Sequence, residues 1–446
     1  MSKKTIQGFS KMEKSEKLQW VANQFSTDPD QFVQTLSSFG HPDEQIQRVI
    51  DGFSENTISN FVMPYGIAPN FLINQNWYSV PMVIEESSVV AAASSAAKFW
   101  STRGGFQTRI INTLKVGQVH FTWNGSFSQL EILFPELRKA LISESKAITA
   151  NMEQRGGGIS DIRILDFSDL EPRYFQLSVR FQTCDSMGAN FINSVLESFG
   201  QTLISFIESH PSLSDNERDV TVVMAILSNY TPECLVRAEV SCPIADLQGV
   251  CDDLDAQAFA KKFNQAVKIA HLDPYRATTH NKGIYNGIDA VVLATGNDFR
   301  AIEAAGHTYA SRSGQYRSLS SCSLEGERFH FWLEVPLAVG TVGGLTRLHP
   351  LADKSLEMLG NPSAEELMMI IAATGLAQNF AALKSLVTTG IQKGHMKMHL
   401  MNILHHLLAK PEEILKATLY FENKAVSFNA VRDYLKELRA SPQTAG

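Results

Sequence analysis

The sequence predicts an α+β protein with more than one compact unit. Its 446 residues exceed the roughly 50–250 residues of a usual domain, so a single hydrophobic core is not expected to hold the chain. In the middle of the chain, apolar and polar residues alternate as they do in strands, whereas amphipathic segments elsewhere have the spacing of helices. This mixture of strands and helices predicts the α+β class.

Composition and charge disfavour several classes of protein. Hydrophobic residues make up 44% of the chain and charged residues 19%, which is ordinary for globular proteins. The net charge of -7 comes without a basic stripe, so a nucleic-acid partner is not expected. No apolar run of about 18 residues occurs, so we expect no membrane span. The five cysteines lack CxxC spacing, which disfavours a disulfide framework and a structural zinc site and fits a cytoplasmic protein.

The first part of the chain is predicted to begin with helices and to continue into extended segments. Residues 1–55 have amphipathic helical spacing, and residues 61–84 are extended, with three prolines as breakers. Residues 89–97 read VVAAASSAA and are apolar on almost every side. Such a helix is expected to be buried among close neighbours.

The middle of the chain predicts the clearest unit. Its elements are a strand at 118–123, a helix at 135–154, strands at 162–167 and 174–183, a helix at 189–208 and a strand at 220–227. This β-α-β-β-α-β order is the ferredoxin-like pattern, and we place the domain at about residues 113–227. The predicted elements that follow are a strand at 236–241, a helix at 255–269, a polar loop at 280–283, a turn at 296–298, a helix from 299, a strand at 329–336, a glycine-rich turn at 340–344 and a helix at 363–389.

Two charged residues permit both a structural and a chemical interpretation. Glu86, beside Glu85, precedes the small-residue helix, where an acid favours the helix N-terminus. A carboxyl held against a buried helix could instead donate a proton. Lys282 lies in the predicted polar loop, where it is either a solvated surface charge or a group that stabilises an oxyanion. The residues alone favour the structural interpretation of both.

Three further patterns permit two interpretations each. Asp298 is most simply an N-cap of the next helix and otherwise orients a lysine. The segment 185–188, DSMG, is a helix cap or a phosphate site. His395 and His399 have metal-ligand spacing, but Met396 stands where zinc peptidases have glutamate, so ordinary helix-face histidines are favoured. Neither GxGxxG nor a P-loop occurs, so the residues by themselves do not reveal a nicotinamide cofactor.

Segments in order from about residue 55 to residue 402 resemble the class II (bacterial-type) hydroxymethylglutaryl-CoA reductases. They are ENTISNFVMPYGIAPNF, VPMVIEESSVVAAAS, CDSMGAN, ILSN, DPYRATTHNKGIYNGIDAVVLATGND, GTVGGLT, GLAQN and GIQKGHMKMH. The resemblance implies a large mixed substrate- and CoA-binding domain from residues 1–112 and 228–390. It also implies an inserted ferredoxin-like NAD(P)-binding domain, a helical C-terminal flap over 391–446, and a homodimer or higher multiple with the active site at the subunit interface.

The resemblance further implies an activity and a catalytic set. The activity is the four-electron reduction of hydroxymethylglutaryl-CoA to mevalonate and CoA with two NAD(P)H and no metal. The residues that match the family's catalytic positions are Glu86, Lys282, Asp298 and His395. In that set, Lys282 stabilises the oxyanion, His395 protonates the CoA thiolate and Glu86 protonates the aldehyde oxygen. Asp298 is expected to hydrogen-bond both Lys282 and Glu86.

Matched positions also imply two binding sets. The cofactor set is Asp185, Met187, Gly188, Asn190, Asn229 and Thr149, and the substrate set is Ser88, Arg276, Asn286, Gln378 and Asn379. Arg276 with Ser88 is expected to hold the free carboxylate of the substrate, because arginine pairs bidentately with carboxylates. Thr149 stands where NADH-preferring members can have an acid near the ribose, which favours NADPH over NADH.

Two other classes of function stay open on the residues. One is a metal-dependent hydrolase that uses His395 and His399, and the missing glutamate counts against it. The other is a non-catalytic CoA- or nucleotide-binding relative, and the presence of all the catalytic residue types counts against that.

Overall fold

The computed structural model describes residues 5–251, 254–388, 400–422 and 424–440. The helices are α1 Lys14–Phe25, α2 Pro29–Ser37, α3 Glu44–Asp51, α4 Val89–Ser101, α5 Phe127–Glu144, α6 Lys146–Glu153, α7 Ala189–Ser209, α8 Ala256–Leu272, α9 Pro274–Ala294, α10 Phe299–Ala310, α11 Leu345–Leu348, α12 Pro350–Met358 and α13 Ala364–Val387, followed by Pro411–Tyr420 and Phe428–Ala440. The strands are β1 Tyr65–Ile73, β2 Asn76–Val83, β3 Gln107–Thr113, β4 Lys115–Trp123, β5 Gly158–Asp166, β6 Tyr174–Gln182, β7 Val220–Ser228, β8 Cys234–Pro243, β9 Ser320–Glu325 and β10 Arg328–Pro336. The predicted α+β class is confirmed.

The small unit consists of β4 to β7 with α5 to α7. Its four strands form an antiparallel sheet in the order β5-β6-β4-β7. Buried and partly exposed residues alternate along β4, so that Val119, Phe121 and Trp123 face a core shared with α5 and α7. The predicted β-α-β-β-α-β order is confirmed, and the limits of the domain stay a prediction.

The first helix of the small unit starts earlier than predicted. The sequence predicted one helix over 135–154, but α5 begins at Phe127 and ends before α6. Ser126 starts α5 through a reciprocal capping box with Gln129. Pro135 lies inside α5 at an exposed position, where water can reach the carbonyl that loses its helical hydrogen bond.

The large unit encloses a bigger core. An antiparallel sheet of order β3-β8-β10-β9 and the β1–β2 hairpin pack with α4, α8, α9 and α13. At its centre, Phe380 of α13 lies with its ring 5.1 Å from that of Trp100 and 5.6 Å from that of Phe263. By length and composition α13 could cross a membrane, but 78% of its most apolar window is buried. Such burial is typical of a core helix.

Lys282 lies on a helix, which corrects the predicted loop. α9 runs without interruption over Pro274–Ala294, although the asparagines and glycines at 281–287 lower its helix propensity. Tertiary contacts outweigh that propensity. A Cβ atom on Gly287 would lie 2.8 Å from the carbonyl oxygen of Thr374. The absence of a side chain therefore lets α9 approach α13 closely.

The C-terminal residues that are described form helices with a small core of their own. Leu404, Val431 and Leu435 are buried together in it. His395 and His399 lie outside the described residues, so the predicted flap and its catalytic histidine stay predictions. In the described part of the chain, no group of three or more His, Cys, Asp or Glu residues could hold a metal ion.

Two glycines on α9 give a matched test of the close packing. Gly283→Ala adds a methyl group that meets no atom within 4 Å apart from its chain neighbours and the backbone of its own helix, so the gain in helix propensity should stabilise the protein by about 1 kcal/mol. Gly287→Ala places the same group against the backbone of α13 and should destabilise it by about 1–3 kcal/mol. Urea denaturation measures both changes. Equal effects of the two substitutions would contradict this packing.

Candidate active site

The connection between β2 and α4 presents a carboxylate to α9. Glu86 lies in this connection, and the predicted helix-start role for it is wrong. α4 begins after Ser88, whose φ of 78° is left-handed, and has no acidic residue in its first turn. One carboxylate oxygen of Glu86 instead accepts hydrogen bonds from Lys282 Nζ at 2.9 Å and from Asn286 Nδ2 at 3.3 Å.

Lys282 and Asn286 share the outer face of α9. They lie one helical turn apart, which lets both side chains reach the same oxygen of Glu86. The Lys282 and Glu86 side chains are 60% and 37% exposed, so their ion pair contributes little to folding stability. An open group with a cation, an amide and a carboxyl is suited to oxyanion stabilisation and proton transfer.

Arg276 lies nearly two helical turns before Lys282 on α9. Its side chain is partly buried and makes no ion pair within 4 Å with any described residue. Burial lowers the pKa of Arg276, and Asp273 partly opposes that change. The guanidinium is therefore available to pair with a carboxylate from a ligand.

Asp298 is a helix N-cap and does not contact the Glu86–Lys282 pair. Its carboxylate accepts hydrogen bonds from the backbone N–H groups of Arg300 and Ala301 and pairs with the Arg300 side chain at 3.0 Å. Burial opposes ionisation, but the bonds from Arg300 and Ala301 outweigh it and hold the pKa of Asp298 below its ordinary value. The N-cap interpretation is confirmed. No hydrogen bond joins Asp298 to Lys282 or Glu86 within the described ranges, so the expected orienting contact is not observed.

The predicted cofactor loop at 185–188 links the small unit to the large one. The carboxylate of Asp185 accepts a hydrogen bond at 2.8 Å from the backbone N–H of Ala364, at the start of α13. Gly340 approaches the loop so closely that a Cβ atom there would lie 2.6 Å from the nitrogen of Met187. The large unit therefore determines the position of this loop.

A small cavity, partly open to solvent, lies beside this loop. Its lining residues come from both units and are mostly apolar: Lys115, Met187, Ile192, Leu227, Ser228, Asn229, Thr231, Ala301 and Ala338. Met187 and Asn229 belong to the predicted cofactor set, whereas Lys115 and Thr231 were not predicted. The burial of Lys115 could have been predicted from the sequence, because Lys115 lies on the same inward face of β4 as Val119. Thr231 comes after the end of β7, and no sequence pattern indicated that it would line a cavity.

The remaining predicted ligand residues differ in exposure. Asn190 is exposed in the first turn of α7. Thr149 is buried, and its hydroxyl donates to Glu153 at 2.7 Å, so it presents no free hydroxyl to a ribose. Asn379 is buried, and its amide oxygen accepts from Ser320 Oγ at 2.7 Å. Gln378 is also buried, and its Oε1 has no hydrogen-bond partner among the described residues.

Comparisons with known proteins agree with the resemblance seen in the motifs. The family model for hydroxymethylglutaryl-coenzyme A reductase matches residues 14–400. The 3-hydroxy-3-methylglutaryl-coenzyme A reductase of Archaeoglobus fulgidus is 36% identical over 439 residues, which cover 98% of this chain and 95% of the relative. The Streptococcus pneumoniae reductase has a solved structure with a TM-score of 0.71 and 35% identity, covering 98% of this chain and 100% of that one. A structure of the class II reductase from the same organism, bound to NADPH in open conformations, also has a TM-score of 0.71 and covers 86% of this chain.

A partly buried carboxyl pair lies one turn beyond Asn286 on α9. Asp289 faces Glu303 of α10, with Tyr285 and His307 close by. Burial, a hydrogen bond with Glu303 and the negative charge of Glu303 raise the pKa of Asp289 to about 8. A hydrogen bond between two carboxyl groups needs one shared proton, because a carboxylate offers no donor.

Asp289→Asn should change how stability depends on pH. Asp289 holds its proton up to about pH 8 when folded but releases it near its ordinary pKa of 3.8 when unfolded. The folded state therefore binds the extra proton between these values, and stability falls as pH rises, by up to about 1.4 kcal/mol per pH unit. Asparagine is neutral throughout, so the stability of the variant relative to the wild type should increase from pH 4 to pH 8 in urea titrations.

Glu303→Gln is the control for this effect. It removes the neighbouring charge but leaves Asp289 partly buried, so it should reduce the pH dependence without abolishing it. Other titrating groups, including His307, are present in the wild type and in the variants. Their effect on stability therefore largely cancels when the stability of a variant is compared with that of the wild type. Parallel stability curves for Asp289→Asn and the wild type between pH 4 and pH 8 would refute the shared proton.

Proposed function

The chain belongs to the hydroxymethylglutaryl-coenzyme A reductase family, and from this premise we propose that it reduces 3-hydroxy-3-methylglutaryl-CoA to mevalonate and CoA with two NADPH. The observation that carries the proposal is the contact of Lys282 and Asn286 with one oxygen of Glu86. It brings together, from separate segments, three residues that match the family's motifs. This reaction belongs to the mevalonate route to isoprenoids, and we place the enzyme in the cytoplasm.

Lys282 stabilises the charge that forms in the first reduction. Bound NADPH supplies the hydride in both reductions. When the thioester carbon is reduced, negative charge develops on its oxygen, and the Lys282 ammonium stabilises it by a charged hydrogen bond. Asn286 donates to Glu86 from the next turn of α9 and so holds the carboxyl beside the lysine.

Glu86 supplies the proton for the second reduction. The aldehyde oxygen must gain a proton as it becomes an alcohol, and a carboxylic acid within hydrogen-bond reach can provide one. The side chain is 37% exposed, so water can return a proton to it between turnovers. Arg276 and Ser88 would bind the free carboxylate of the substrate, and Gln378, with its unpaired Oε1, is the better placed of the two further predicted contacts.

We include Asp298 and His395 in the proposed catalytic set because they match the family's catalytic positions. We assign Asp298 a positioning role, since it caps α10 and Ala301 of that helix lines the cavity. His395 would protonate the departing CoA thiolate. The proposed assembly is a homodimer with the site at the subunit interface. NADPH is preferred over NADH in this proposal, as the Streptococcus pneumoniae relative has been solved with NADPH bound.

The reaction is tested by following the absorbance of the reduced nicotinamide with hydroxymethylglutaryl-CoA as substrate. The purified protein should oxidise two NADPH for each CoA released and should use NADH less well. Lys282→Met keeps the length of the side chain but removes its charge, and kcat should fall by about 100-fold or more. Lys261→Met, at an exposed position on α8, is the matched control and should retain full activity.

Two results would count against the proposed reaction. Folded protein that oxidises neither nucleotide with this substrate would remove the activity. Full activity of Lys282→Met would show that the contact with Glu86 is not catalytic.

His395→Gln should separate the two reductions. Loss of the acid should impair the CoA-releasing overall reaction strongly, whereas reduction of free mevaldehyde releases no thiolate and should change little. Steady-state rates with the two substrates measure the difference, with exposed His405→Gln as the control. Equal losses on both substrates would mean that His395 does not protonate the thiolate.

A further inference from the structure

His280 lies on the buried side of α9, within a chain of hydrogen bonds. It is 2% exposed, and its Nε2 lies 2.7 Å from the hydroxyl oxygen of Ser320. That hydroxyl in turn donates to the amide oxygen of Asn379 at 2.7 Å. The three residues belong to α9, β9 and α13, so the chain joins the catalytic helix to two neighbouring elements of the large unit.

The donors in this chain fix the form of the imidazole. A serine hydroxyl has a single proton, and Ser320 uses it in the bond to Asn379. Ser320 therefore accepts from His280, so that Nε2 carries the proton of the ring and Nδ1 keeps a lone pair. Burial and the positive charges of Arg276 and His271 lower the pKa of His280 to about 3, so the imidazole is neutral at neutral pH.

The lone pair on His280 Nδ1 is buried and has no hydrogen-bond partner in the described part of the chain. An unpaired buried acceptor destabilises the folded state, because it has lost its bonds to water and gained none in exchange. Buried polar atoms usually have a partner, so an exception such as this one indicates a role other than folding.

Arg276 carries the complementary groups one turn earlier on α9. Helical side chains lean towards the N-terminus of their helix, so the imidazole at position 280 lies over the turn that contains Arg276. The guanidinium is partly buried and makes no ion pair within the described ranges. Its charge contributes to the low pKa of His280, in agreement with their proximity. Donors without an acceptor thus adjoin an acceptor without a donor.

The imidazole is fixed in place, whereas the arginine side chain is not. Asn281, next to His280, donates to the carbonyl of Arg317 at 2.9 Å and accepts from the N–H of Leu319 at 3.0 Å. Two consecutive residues of α9 are therefore bonded to the segment that enters β9. The longer Arg276 side chain can reach Nδ1 by rotation about its own bonds.

We propose that His280 is the positioning residue for Arg276. Nδ1 accepts a hydrogen bond from the guanidinium and so directs the remaining N–H groups of Arg276 at the free carboxylate of the substrate. The bond to Ser320 maintains the tautomer in which Nδ1 can accept. The inference rests on the proposed function, because Arg276 is assigned there to that carboxylate. A guanidinium oriented in advance loses less entropy when it pairs, so the contact raises substrate affinity.

Binding of two thioesters tests this role independently of reduction. The ligands are hydroxymethylglutaryl-CoA and 3-hydroxy-3-methylbutyryl-CoA, which has the same CoA part but lacks the free carboxylate. Isothermal titration without a nicotinamide cofactor gives their affinities for the wild type and the variants. A change that acts through Arg276 affects only the first ligand, whereas a general disturbance of α9 affects both.

Two substitutions each keep one half of the imidazole. His280→Gln keeps a donor near the position of Nε2, and His280→Asn keeps an acceptor near the position of Nδ1. His271→Gln is the matched control, because His271 of α8 makes the same kind of contact with Ser321, at 3.2 Å. The control should bind both thioesters as the wild type does.

The wild type should bind hydroxymethylglutaryl-CoA about 10-fold or more tightly than the other thioester, because only the former pairs with Arg276. His280→Gln should weaken hydroxymethylglutaryl-CoA by about 5- to 20-fold and leave the other thioester unchanged. His280→Asn should weaken it by less than about 3-fold, because an acceptor for Arg276 remains. In an Arg276→Met background, His280→Gln should have no further effect.

A purely structural role predicts the opposite order of the two variants. Normal affinity of His280→Gln with loss in His280→Asn would mean that only the bond to Ser320 matters, and the proposal would be wrong. Equal weakening of both thioesters, or a full additional loss in the Arg276→Met background, would overturn it as well.

Should neither His280 variant fold, Ser320→Ala decides the question. It frees the imidazole to carry its proton on Nδ1, so it should weaken hydroxymethylglutaryl-CoA alone, by about 2- to 5-fold, with Ser323→Ala of the same strand as the control. No selective loss would refute the proposal. Wild-type protein that binds both thioesters equally would refute the role of Arg276 in the proposed function. Normal discrimination by the wild type with unselective variants would refute only the role of His280.

Discussion

The close contact of α9 with α13 is the constraint on which the candidate site depends. Gly287 lies against the backbone of α13, and a Cβ atom on Gly375 would lie 2.8 Å from Ile288 Cγ1, so each helix needs a glycine where the other approaches. This contact fixes the rotation of α9 about its axis and thus the direction of its outer face. The ion pair of Lys282 with Glu86 is too exposed to hold the helix by itself. Its geometry therefore follows from apolar packing on the opposite side of the helix.

A second close approach brings the two units together at the cavity. Gly340 lies against the backbone at Met187, and its own N–H donates to Asn297 Oδ1 at 2.8 Å, just before the cap of α10. The same junction retains a buried lysine, Lys115, and the buried hydroxyl of Thr231, which has no hydrogen-bond partner among the described residues. A core selected only for stability would replace both with apolar side chains.

Much of the fold was predictable, and the errors have physical causes. The strands of the small unit follow the two-residue period of Val119, Phe121 and Trp123, which depends only on local sequence. The start of α5 was placed too late because Pro135 resembles a helix start, whereas its exposed position lets a helix continue through it. Lys282 was placed in a loop because glycine and asparagine disfavour helices locally. The partner helix that reverses this preference is α13, whose contacting residue Thr374 lies far along the chain from Gly287.

The sequence by itself determined the family, the order of strands in the small unit, and which residue types occupy the matched positions, because motifs and periodicity are properties of neighbouring residues. Tertiary structure decided which side chains meet. It brought Glu86 to Lys282 and Asn286 across about 200 residues, turned Asp298 to Arg300, and left Lys115 and Thr231 beside one cavity. These outcomes depend on helix rotation and on the docking of two units. Both are fixed by contacts between residues distant in the chain, and no local pattern records them.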